Sequence, residues 1–219
     1  HDRQSLLPGV FWLTVNLLDR YLEAESVERK ILQLVGMTAL FIACKFEEST
    51  IMDVNECVFL MENQYTDQEM LDMELKMLQK LDFVIHVPTG YHFLQRYLSA
   101  IKANETLQYV AIYYAERNLQ EYDMLKVASH QFAAAAVYAA LVQKAQYGEA
   151  AHKIKVGPYI LQEESGLREA DIIGTARTLV VHLREEAEQP SQHNKLDSIV
   201  LKYSDEKYGN VASLPLPSI

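Results

Sequence analysis

Two stretches of the chain are apolar on every side when laid on a helical wheel at about 100° per residue. The first is Ile31 to Phe46, with Gln33 and Thr38 as its only interior polar residues before Lys45. The second is Gln131 to Leu141, rich in alanine. A helix that is apolar all round is enclosed by other helices, so each stretch predicts the central helix of a bundle. Gly36, Ala39 and Ala43 are small enough to let neighbouring helix backbones approach. Around these centres the pattern predicts amphipathic helices at Leu13–Leu22, Asp53–Met61 and Asp67–Leu81. Further along it predicts Tyr91–Ala100, Asn104–Asn118, Lys126–Gln146, Val156–Ser165, Glu169–Ala187 and Asn194–Tyr203. Thr66-Asp67-Gln68-Glu69 has the form of a capping box, and Gln189-Pro190-Ser191 is a stop signal. Asp82–Val87 reads as extended, and Val87-Pro88-Thr89-Gly90 is the clearest break. The reading is all-α, in domains 1–87 and 88–190 followed by a C-terminal helix and tail, 191–219.

Composition narrows this further. The chain has 219 residues, 49% of them hydrophobic and 23% charged, with only 8 Gly and 6 Pro to make turns. That is a globular, not a disordered, profile. The net charge of −10 works against a bare nucleic-acid surface, which needs clustered Lys and Arg, and suits a protein partner better. No stretch reaches the roughly 20 apolar residues of a membrane span. Cys44 and Cys57 read as free thiols of a reducing, intracellular setting. The seven His show no metal-binding spacing, and neither a phosphate loop nor a nucleophile elbow is visible. No cofactor is expected. The five Met between residues 52 and 77 read first as core, with some of them candidates for a partner groove.

Two charges break the pattern. Glu74 lies on the wheel among Met70, Met77, Leu78 and Leu81, and Lys45 lies on the side of Leu34, Thr38, Phe41 and Ile42. Either each side chain snorkels to water at a helix end, or the two helices present an apolar patch that a partner covers. Unpaired burial of either charge costs several kcal/mol. The residues alone leave both readings open.

Four segments in order resemble the box of mitotic, A/B-type cyclins: Thr14–Leu22 (TVNLLDRYL), Leu32–Gly36 (LQLVG), Ala43–Glu48 (ACKFEE) and Met73-Glu74. The likeness continues through Lys202-Tyr203 to Ser213-Leu214-Pro215. It implies two tandem five-helix cyclin-type bundles, the first lacking its opening helix in this chain. It also implies a non-catalytic subunit that binds and activates a cyclin-dependent kinase in cell-cycle control, in nucleus and cytoplasm. By that resemblance Lys45 and Glu74 hydrogen-bond the kinase near its regulatory helix. Ile42, Phe46, Leu78, Phe83 and Ile85 form the groove for that helix, and Glu47 and Glu48 face the activation segment.

The resemblance further implies a docking patch for substrate or inhibitor peptides. Arg29, Leu32 and Gln33 match its central-helix half; its other half belongs to a helix upstream of His1. Neither nucleic acid nor membrane is an expected partner. A transcription-factor or pocket-protein scaffold built on the same paired bundles is the alternative; a DNA-binding member of that group is expected to be basic along one face.

Overall fold

The computed structural model describes residues 6–49, 52–147, 156–188 and 197–219. The Gln189-Pro190-Ser191 stop, the start of the last predicted helix, Thr50-Ile51, and His1, His152 and His193 lie outside them. The chain divides into two compact units, His1–Thr89 and Gly90–Ile219.

In the first unit α1 (Pro8–Ala24) and α4 (Asp67–Lys80) pack against α2 (Leu32–Glu47), and α3 (Val54–Leu60) packs against α4. Helix α1 begins with proline in its first turn, where a missing N–H costs nothing. It buries Val10, Leu13, Leu17 and Tyr21, a stripe at helical spacing. Helix α2 buries Leu34, Val35, Thr38, Ala39 and the run Phe41–Cys44, as expected of an enclosed helix. The Thr38 hydroxyl donates to the Leu34 carbonyl at 2.8 Å, which satisfies it inside the core. Ala39 and Ala43 are fully buried, but Gly36 behaves otherwise. A Cβ built there meets no atom within 4 Å, so Gly36 lies on an open side of α2. The methionines are core: Met52, Met61, Met70, Met73 and Met77 are all buried.

Helix α4 starts at the expected capping box. Glu69 N–H donates to Thr66 Oγ1 at 3.2 Å, and Thr66 N–H donates to Glu69 Oε2 at 2.8 Å. At its other end the structure corrects the reading of Asp82–Val87 as extended. Asp82 and Phe83 are both left-handed, φ 51° and 58°. The Phe83 N–H reaches back to the Leu78 carbonyl at 2.8 Å, the six-to-one bond of a Schellman-type stop. Helices α3 and α5 end the same way, with left-handed Asn63 and Lys102. A glycine-poor chain thus closes these helices with residues that tolerate the conformation less well.

Glu25, just past α1, binds Lys76 at 3.1 Å and Lys80 at 3.0 Å on α4. Those two ammonium groups, Lys80 first, hold its carboxyl below the usual range.

In the second unit α7 (Ser129–Tyr147) is central, packed by α5 (Gly90–Ala100), α6 (Glu105–Asn118), α8 (Val156–Ser165) and α9 (Glu169–Glu188). Its alanines 133–136, 139 and 140 are fully buried. The helix begins at Ser129 and not at Lys126, because residues 122–126 form a separate 3-10 turn. Gly157 lets α8 approach α7 closely: a Cβ there would lie 2.8 Å from Leu141 Cδ1 and require that side chain to shift. Asn104 caps α6, accepting from the Leu107 N–H at 3.4 Å. Helix α10 (Asp197–Tyr203) and the turn at 211–213 dock on α6, so the last helix and tail belong to this unit.

Candidate functional site

Helices α2 and α4 lie side by side, and each carries one of the two charges that broke its pattern. The structure brings them together: Lys45 Nζ forms an ion pair with a carboxylate oxygen of Glu74. The Lys45 side chain is 35% exposed and that of Glu74 12%. Lys45 Nζ also stands 4.2 Å from the centre of the Phe41 ring, a cation–π contact between i,i+4 neighbours on α2. The pair is therefore shielded from beneath and open to solvent on one side.

Apolar side chains follow it on both helices and in the turn after α4. Phe46, one residue beyond Lys45, is 45% exposed and its ring lies 5.8 Å from that of His86. Phe83 is 60% exposed, while Leu78 and Ile85 are half-buried. Ile42 departs from its assigned place: at 2% exposure it sits in the core, because its position on α2 faces inward. Glu47 and Glu48 are half-buried at the end of α2. The Glu48 carboxylate accepts from the Leu7 N–H, tying the segment before α1 to this end of α2.

Sequence reasoning overlooked two neighbours. Leu71 and Leu75 on α4 are 41% and 53% exposed and continue the apolar face at helical spacing with Leu78. The signal for both is that spacing.

Arg29, Leu32 and Gln33 come together at the opposite end of α2, about 18 Å away along the axis from Lys45. All three are exposed, Leu32 at 43%, beside the open side of Gly36. The ion-pair face and this patch are thus two separate surfaces on one helix.

Neither cysteine offers reactive chemistry. Both are free and buried, and burial pushes the thiols up, to about 11 for Cys44 and about 12 for Cys57. Among the described residues no three His, Cys, Asp or Glu side chains cluster as metal ligands, and no helix is long and apolar enough to cross a membrane.

Comparison with known proteins gives this geometry a family. Residues 1–86 match the cyclin N-terminal domain and residues 88–217 the cyclin C-terminal domain. The chain is 45% identical over 148 residues to G2/mitotic-specific cyclin-1 of Medicago sativa subsp. varia, covering 68% of this chain and 34% of that one. It is 37% identical over 216 residues to Cyclin-B1-3 of Oryza sativa subsp. japonica, covering 97% and 43%. The chain thus spans a third to a half of the length of the curated relatives it matches. The crystal structure of a viral cyclin from herpesvirus saimiri superposes with a TM-score of 0.70 at 21% identity, over 81% of this chain and 76% of that one, which shows the shared fold. With a match over each half and mitotic and B-type relatives along nearly its whole length, the chain belongs to the cyclin family.

Proposed function

We propose that this chain is the regulatory, non-catalytic subunit of a cyclin-dependent protein kinase and acts in mitotic cell-cycle progression. The observation that carries the reading is the half-shielded Lys45–Glu74 pair, bridging α2 and α4 within a rim of exposed Phe46, Phe83, Leu71 and Leu75. A preformed pair of this kind offers an ammonium and a carboxylate, already held by each other, to main-chain and polar groups of a docking helix. Its desolvation is completed only when that helix covers the rim, so the charges give register while the apolar side chains give affinity.

Activation then follows from differential binding. A surface that fits the kinase's regulatory helix in its active position better than in its inactive one shifts the kinase toward the active arrangement. There the catalytic Lys–Glu pair and the ordered activation segment are in place. The phosphoryl transfer is the kinase's own chemistry. Arg29, Leu32 and Gln33 stand ready as a contact for substrate or inhibitor peptides. The mitotic and B-type relatives favour this reading over a transcription scaffold.

The test is a pull-down with a cyclin-dependent kinase and a histone phosphorylation assay, comparing the parent with Lys45→Ala and Glu74→Ala. Each variant is expected to lose at least tenfold in affinity and in activation while keeping its helical signal. Full binding and activation by both would refute the assignment.

A further inference from the structure

The segment after the last turn is held in an unusual way. Leu214 leaves the last turn at φ −71°, ψ 145°, residues 215–219 form neither helix nor strand, and Pro215 and Pro217 preset a polyproline-type backbone. They lie against the C-terminal end of α7 and against α9, which hold them through their main chain. Tyr147 Oη donates to the Leu216 carbonyl at 3.5 Å, and an Arg184 Nη donates to the Pro217 carbonyl. Gln146 uses both ends of its amide on one residue: Nε2 donates to the Ser218 carbonyl at 2.7 Å, and Oε1 accepts from the Ser218 N–H at 2.8 Å. Of the tail's side chains Pro217 alone is buried.

We propose that this face of the second unit is a binding site for an extended, proline-containing segment of a partner polypeptide, and that Leu214–Ser218 is its resident intramolecular occupant. Contacts made to main-chain carbonyls and one N–H are available to any extended peptide. What the site selects is a proline at the buried position in a chain stiffened by a second proline two residues earlier. An exposed tyrosine beside a polyproline segment belongs to a known mode of peptide recognition.

The occupant is exchangeable. Gln146, Tyr147 and Arg184 are exposed, so withdrawing the tail returns their polar groups to water and leaves no buried orphan. Solvent-facing hydrogen bonds of this kind contribute little net stability, because water replaces them when they break. A tethered ligand competes at an effective concentration in the millimolar range, so the intact chain masks its own site.

The probe is a fluorescein-labelled peptide Ser-Leu-Pro-Leu-Pro-Ser-Ile, followed by anisotropy. The chain with residues 214–219 removed is expected to bind it at least tenfold more tightly than the full chain. Adding Gln146→Ala and Arg184→Ala is expected to reduce that affinity at least tenfold. A peptide with both prolines replaced by alanine is expected to bind at least tenfold more weakly than the parent peptide. Should the shortened chain fail to fold, hydrogen exchange of the Ser218 amide in the full chain decides: excess unlabelled probe accelerates it if the tail is displaced. No binding by a folded shortened chain, equal binding of the alanine peptide, or an unchanged Ser218 exchange rate each overturns the proposal.

Discussion

Lys202 on α10 reaches both carboxylate oxygens of Glu116 on α6, at 3.0 and 3.2 Å, across 86 residues of chain. The two side chains are 10% and 2% exposed, and the ammonium also lies 4.8 Å from the ring of Tyr203. A buried bidentate pair is costly to break from one side, because the remaining charge stays desolvated. Lys202→Met is expected to lower unfolding stability by about 3 kcal/mol or more. The double variant Lys202→Met/Glu116→Gln is expected to recover part of that loss. Urea unfolding of both decides; a loss below about 1 kcal/mol in the single variant would place the docking of α10 elsewhere.

Asp19, on α1, has its carboxyl pushed up from 3.8 to about 6 by burial. The folded chain therefore holds this proton more tightly than the unfolded chain. Its contribution is favourable only at low pH and is lost as pH rises from about 4 to 6, with a constant deficit above. The full shift corresponds to about 3 kcal/mol, and partial exposure reduces it to about 1–2 kcal/mol. Asp19→Asn is expected to stabilise the chain by that amount at pH 7 and not at pH 4. Melting curves of parent and variant across this range test it; identical differences at both pH values would contradict it.

Phe83 places a large aromatic side chain on a left-handed residue, φ 58°, and leaves it 60% exposed. A bulky residue pays about 1–2 kcal/mol for that conformation. Asn tolerates it better, and little burial is forfeited. Phe83→Asn is expected to keep or raise stability by up to about 1 kcal/mol while weakening kinase binding. A variant that melts earlier yet binds as well would reverse both assignments.

Cys44 and Cys57 are fully buried, with thiols raised to about 11 and about 12. The folded chain at pH 8 is expected to resist a disulfide reagent, and both thiols are expected to react in urea. Rapid labelling of either in the native state would show an opening of α2 or α3.

Local signals were enough for the helices and their order. Thr66 and Glu69 announce their capping box within four residues, and the all-round apolar runs mark α2 and α7 as central, because an amphipathic period is a property of neighbours in sequence. The same wheel exposed Lys45 and Glu74 as misfits. It could not pair them, since they are contributed by separate helices.

Depth was equally hidden. Ile42 and Phe46 are one turn apart on α2, yet one is core and the other exposed. Gly36 looked like a packing residue and faces open space. Glu25 finds its two lysines about fifty residues on, and Gln146 finds Ser218 after 72. Periodicity and capping are written in intervals of a few residues, so composition and pattern suffice for element type and for the buried stripe of each helix. Which charge meets which, how much of a side chain water still reaches, and where the tail lies depend on surfaces assembled from distant segments, and these exist only once the bundle has closed.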